Sequence, residues 1–181
     1  MIGSPGVQRT YHLRCWTRFY APPDEVGAYK TDPARLNDER KPVVSLKVDE
    51  NALETALRGA GAELLEGKLA PLGLVPATPW PLHIAVGPEP WRIVEQSPNN
   101  PLFHSWEHVR TLEASSDGCR YMDAITFAPR LPATRLVARA VEELFIHIHK
   151  QSARHFRTDE RATAVAMLRV VPEESERWQE T

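Results

Sequence analysis

The chain has 181 residues, 42% hydrophobic and 25% charged, a composition that suits one ordinary globular domain and leaves little chain for a second large core. With 22 basic against 24 acidic residues and a net charge of -2, it carries no broad basic footprint, so neither nucleic acid nor an anionic membrane is expected as a partner. No apolar run approaches the roughly 20 residues that cross a bilayer, and MIGSPGVQRTYHLR lacks the order of a signal peptide, so a cytoplasmic location is expected. Cys15 and Cys119 stand too far apart for a C-x-x-C motif and read as buried thiols, and the sixteen prolines punctuate element ends.

Residues 1–10 read as an N-terminal extension. Tyr11 to Phe19 predicts a first strand, stopped by Ala21-Pro22-Pro23. Asp24 and Glu25 then favour a short helix to Thr31, with another brief helix at Ala34 to Asn37. Val43 to Val48 is a strand, DENALETALRGAG one or two helical turns closing at Gly59 or Gly61, and Ala62 to Leu69 is ambiguous between strand and helix. Trp80 to Val86 and Trp91 to Gln96 predict a hairpin across Gly87-Pro88-Glu89-Pro90, and Arg120 to Ala128 a further strand.

From Thr134 to Arg157 the period changes to that of a helix. Val137, Val141, Leu144, Ile148 and Ser152 form its apolar stripe, opposite Glu143, His147, Lys150 and Arg154. One long amphipathic helix among several strands predicts an α+β fold with the helix laid on a sheet. His147 and His149, two apart on that helix, diverge and read as surface or flank residues. Residues 158–181 form a tail that could be helical, with an apolar stretch from Ala162 to Val171.

FHSWEHVR contains His104, Glu107 and His108 in the H-x-x-E-H pattern of inverted zinc peptidases. On a helix the three would share a face, and Glu142 or Glu143 could be proposed as a third ligand. On a strand Glu107 turns away from the metal, and His104, Trp106, His108 and Arg110 face one way. Asp117-Gly118 is a hairpin signal and favours the strand. Pairing Ser116 with Cys119 sets Leu112 opposite Asp123 and Arg110 opposite Ile125. One face then carries Trp106, His108, Arg110, Leu112, Tyr121, Asp123, Ile125 and Phe127, so no metal or other cofactor is expected.

Three pieces in order resemble the START-related superfamily of lipid-transfer proteins and polyketide cyclases (SRPBCC, helix-grip fold), in its uncharacterised bacterial branch. They are FYAPPDEVGAYKTDPARL, the W-x-H of Trp106 and His108 followed by Asp123, and the final helix ending near ARHF. The resemblance spans Tyr11 to Arg157 and implies a helix-grip domain at 11–157, a curved antiparallel sheet wrapped around the C-terminal helix. It departs from the superfamily at Asn100-Pro101-Leu102 and around His147 to Lys150.

It also implies a cavity between helix and sheet for a hydrophobic or amphipathic ligand such as a lipid or polyketide. Trp106, Tyr121, Ile125 and Phe127 would form the sheet wall, Leu144 and Ile148 the helix wall, and His108, Arg110 and Asp123 the polar groups. Arg110 and Asp123 read equally as an internal ion pair. A cyclase-like or dehydratase-like activity would use His108 with Asp123 as catalytic residues. An interaction module with a filled core and, behind it, a zinc peptidase are the remaining alternatives.

Overall fold

A computed structural model describes residues 9–59, 63–71, 77–87, 91–158, 163–164 and 169–171. Residues 1–8 of the expected extension at 1–10, residues 88–90 of the expected hairpin turn and most of the tail lie outside the described residues. Among the described residues the elements are, in order, β1 (Thr10–Phe19), α1 (Pro23–Thr31), α2 (Pro33–Arg40), β2 (Val44–Lys47), α3 (Glu50–Arg58), β3 (Glu63–Pro71), β4 (Thr78–Val86), β5 (Arg92–Gln96), β6 (Phe103–Ser115), β7 (Gly118–Pro129), α4 (Thr134–His155), β8 (Thr163–Ala164) and β9 (Arg169–Val171).

The strands form a nine-stranded antiparallel sheet in the order β2-β3-β4-β5-β6-β7-β1-β8, with β9 also on β1. β2 to β7 are a simple meander, and the first strand closes against β7. This is the curved sheet and C-terminal helix of the α+β helix-grip fold expected from the sequence. Tail residues 163–164 and 169–171 are extended rather than helical, because the free edge of β1 supplies backbone partners.

Local chemistry sets the boundaries. α1 opens on Pro23 with Asp24 and Glu25 in its first turn. Asp32 ends it and caps α2, accepting from the amides of Ala34 at 2.9 Å and Arg35 at 3.3 Å. α2 runs past the expected end at Asn37 to Arg40, where the Lys41 amide donates to the Asn37 carbonyl at 3.2 Å. Asp49 caps α3 in the same way through Ala52 at 2.9 Å, and β4 resolves the preceding ambiguity by pairing with Glu63–Leu69 as a strand.

FHSWEHVR is strand, so the helical geometry that a zinc peptidase needs is absent here. A bulge between Phe103 and Ser105 corrects the expected facing of His104: Phe103 turns inward and His104 outward. From Trp106 onward alternate residues are buried through Leu112. The hairpin register also differs from expectation. Ser115 pairs with Gly118, so Arg110 lies opposite Asp123 and Leu112 opposite Tyr121. Ser116 and Asp117 occupy the corner, and Gly118 opens β7 at φ 147, where an added Cβ would sit 2.0 Å from the Phe19 carbonyl oxygen. Because side chains alternate with period two, this two-residue displacement leaves the inward face unchanged.

α4 packs across β1, β7 and α2. Its buried row is Ala138, Val141, Glu142, Phe145, Ile148, His149, Ser152 and Ala153. That row is rotated from the expected stripe, so His149 is fully buried, against its expected surface position. Phe145 is the reason: it enters the cluster of Trp106, Phe103, Trp80 and Phe127 and turns the helix about its axis.

Candidate functional site

Asp123 is the hub of the interior. It extends from the inner face of β7 with 1% of its surface exposed. Oδ1 accepts from the Tyr121 hydroxyl at 2.7 Å and from His108 Nε2 at 2.8 Å, while Oδ2 accepts from His149 Nε2 at 3.0 Å. His149 reaches Thr17 on β1 through Nδ1 at 2.8 Å. One imidazole thus ties α4 to two strands. Burial alone would push the Asp123 carboxyl up, but His108 and His149 hold it well below the usual carboxylate range. Burial next to Asp123 pushes the Tyr121 hydroxyl well above its ordinary value.

Arg110 stands opposite Asp123 in the ladder, yet its guanidinium Nη2 donates to Glu95 of β5. The expected Arg110–Asp123 bond is therefore replaced by an Arg110–Glu95 pair. His108, directly opposite Glu95, turns its Nδ1 to within 3.7 Å of the Glu95 carboxylate. Burial raises the Glu95 carboxyl, and Arg110, His108 and Arg40 more than reverse that, leaving it well below its usual value. Arg40, from the end of α2, is pulled below the ordinary guanidinium value by burial, with Glu95 opposing.

Next to this network lies a cavity of about 90 Å3 between α4 and the sheet. Val141, Leu144, Phe145 and Ile148 form its helix side. Trp80, Phe103 and Trp106 form an aromatic floor, and Val44, Leu46 and Leu69 close the β2–β3 side. Arg40, Glu95 and His108 make one polar end. The aromatic rings fill much of the gap: Trp80 meets Trp106 at 5.2 Å between centroids and Phe103 meets Trp106 at 5.1 Å.

Among the expected pocket residues, Trp106, His108, Leu144 and Ile148 line this cavity. Arg110 and Asp123 sit behind its polar end, in the network. Tyr121 belongs to a second apolar cluster with Phe19, Val26, Leu112 and Cys119. Ile125 and Phe127 are packed in the main core, where Phe127 stacks on Tyr11 at 5.6 Å. Sequence reasoning missed Arg40, Glu95 and His149. Glu95 had a signal, since it alternates with buried Ile93 along β5; Arg40 had none, because only the docking of α2 against α4 encloses it.

A second buried polar group lies on the helix side. Lys30 of α1 donates to both oxygens of Glu39 at 2.7 and 2.9 Å and to Ser152 Oγ at 2.5 Å. Its ammonium also lies 4.6 Å from the centre of the Tyr121 ring. The cluster joins α1, α2 and α4. Among the described residues no group of three or more His, Cys, Asp or Glu is arranged to hold a metal ion, and no helix is long and apolar enough to cross a membrane.

A curved antiparallel sheet around a C-terminal helix, with a cavity between them, defines the START-like helix-grip class. Solved structures share this fold. TTHA0849 from Thermus thermophilus covers 81% of this chain and 97% of its own, at TM-score 0.62 and 20% identity. The Zhui aromatase/cyclase from Streptomyces sp. R1128 covers 81% and 96%, at TM-score 0.60 and 12% identity. A START superfamily protein from Mycobacterium smegmatis covers 81% and 97%, at TM-score 0.58 and 11% identity. No curated protein matches the chain in sequence. Within the class, the chain belongs to the family described as Domain of unknown function (DUF8410), matched over residues 17–156.

Proposed function

We propose that this protein binds a hydrophobic small molecule between α4 and the sheet. The observation that carries the reading is the form of the cavity: aliphatic and aromatic walls with one polar end, at the helix-to-sheet gap. Several proteins of the same fold are named for START-type or cyclase roles, which agrees with a ligand in this position. Organic extraction of purified protein followed by mass spectrometry, with an environment-sensitive apolar dye as a second probe, tests it. A recurring extracted apolar compound, or dye binding that this compound displaces, supports the reading. Protein that is always empty and blind to the dye counts against it.

A cyclase-like reaction is the second reading, favoured by His108 in the cavity wall with Asp123 at 2.8 Å. Against it, both ring nitrogens of His108 are turned towards carboxylates, Nε2 to Asp123 and Nδ1 to Glu95. General acid or base chemistry needs one of them turned towards the ligand. With a polyketide-type substrate, His108→Ala should abolish turnover and largely spare binding; lost affinity with no turnover in either protein removes the catalytic role.

A further inference from the structure

Building on the ligand-binding reading, we propose that the molecule this cavity accepts is compact and presents a hydrogen-bond-acceptor oxygen of carbonyl type to Trp106 Nε1 and Arg40. Trp106 is 8% exposed, lines the cavity, and its indole N–H has no hydrogen-bond partner. An indole nitrogen can only donate, and a buried donor left unmet is costly and uncommon. Arg40 lines the same cavity, and its one hydrogen bond among the described residues goes to the Leu36 carbonyl at 3.3 Å.

Both oxygens of Asp123 are engaged by His108, His149 and Tyr121, and Glu95 Oε2 receives Arg110. None of these carboxylates meets the Trp106 N–H, and a ligand oxygen supplies the acceptor it needs. Arg40 and Arg110 stand among the carboxylates of Glu95 and Asp123, and a neutral carbonyl adds no charge to that group. Size sets the other limit. A volume of about 90 Å3 is below the roughly 150 Å3 that encloses benzene, so a single small ring is the upper limit and enters with a slight widening of the gap. A long acyl chain requires α4 to move away from β2 and β3.

The test uses the 15N-labelled full chain titrated with acetophenone, with α-methylstyrene, which has the same shape with CH2 in place of oxygen, and with benzoate. Indole N–H signals are followed, and Trp106→Phe identifies the Trp106 signal. Acetophenone is expected to bind about three- to tenfold more tightly than α-methylstyrene and to move the Trp106 signal, which the hydrocarbon leaves in place. In Trp106→Phe the preference should shrink to about twofold or less while hydrocarbon affinity persists. If that variant does not fold, the Trp106 signal is assigned by through-bond and NOE spectra of the doubly labelled wild-type chain, and its displacement decides.

Equal affinities with an unmoved Trp106 signal overturn the acceptor inference and leave the pocket standing. Binding of neither neutral compound removes the pocket reading itself. Benzoate binding more weakly than acetophenone supports the neutral carbonyl. Benzoate binding more tightly, with the gain lost in Arg40→Gln, overturns the neutral carbonyl and assigns the acceptor oxygen to a carboxylate held by Arg40.

Discussion

Asp123 meets three donors from three different places in the chain, so its removal is expected to be felt well beyond β7. Asp123→Ala strands His108, His149 and the Tyr121 hydroxyl in a dry interior, and should cost about 3–5 kcal/mol in urea unfolding. The pH dependence follows from the depressed carboxyls of Asp123 and Glu95. A folded-state value below the unfolded one contributes stability that is fully present above the unfolded pKa, about 4, and is lost as pH falls towards the folded value. Unfolding free energy should therefore be flat in this respect near neutrality and decline below about pH 4. Asp123→Asn combined with Glu95→Gln should weaken that acid-side slope; an unchanged slope in the double variant would show that other carboxyls set it. At this scale the sequence was partly readable. Alternation identified His108, Arg110 and Asp123 as inward, but which carboxylate each would meet depended on how β5 sets Glu95 beside β6.

Elements are joined by two devices with separable tests. Lys30, Glu39 and Ser152 fasten α1, α2 and α4 together where both charged side chains are almost wholly enclosed. Lys30→Met alone leaves Glu39 buried without its cation and should cost about 3–5 kcal/mol, whereas Lys30→Met with Glu39→Leu should recover most of that loss. Equal losses in single and double variants would mean that the ion pair, not the stranded charge, supplies the stability. The second device is the contact of α1 with Trp91. A Cβ on Gly27 would lie 2.5 Å from the indole ring, so Gly27→Ala should lower stability by about 1–3 kcal/mol, and Trp91→Ala in that background should relieve the clash. Both devices escape sequence reasoning for one reason. Periodicity tells which face of a helix is apolar, but Lys30 and Glu39 lie on helices whose burial is created by each other. The same limit explains the rotation of α4: Phe145 and His149 join its inner row because partners on the sheet receive them.

For the whole molecule, the cavity is the feature that the fold makes and no single element contains. Val141 borders it with 8% exposure. Val141→Phe is expected to plug it, changing unfolding free energy by no more than about 1–3 kcal/mol while eliminating dye or ligand binding. Retained binding in a folded Val141→Phe protein would place the ligand elsewhere. The sequence by itself determined most of the order of strands and helices and the inward row of β6 and β7 from Trp106 onward, because proline stops and two- or 3.6-residue periods act over a few neighbours, and its resemblance to a known superfamily implied the helix-grip class. Only the tertiary structure decided that Glu95 and not Asp123 receives Arg110, that His149 is buried, that Arg40 reaches the cavity, and that aromatic rings leave it small. Those outcomes depend on the distance at which α2 and α4 settle against a curved sheet. That distance is set by packing among residues far apart in the chain.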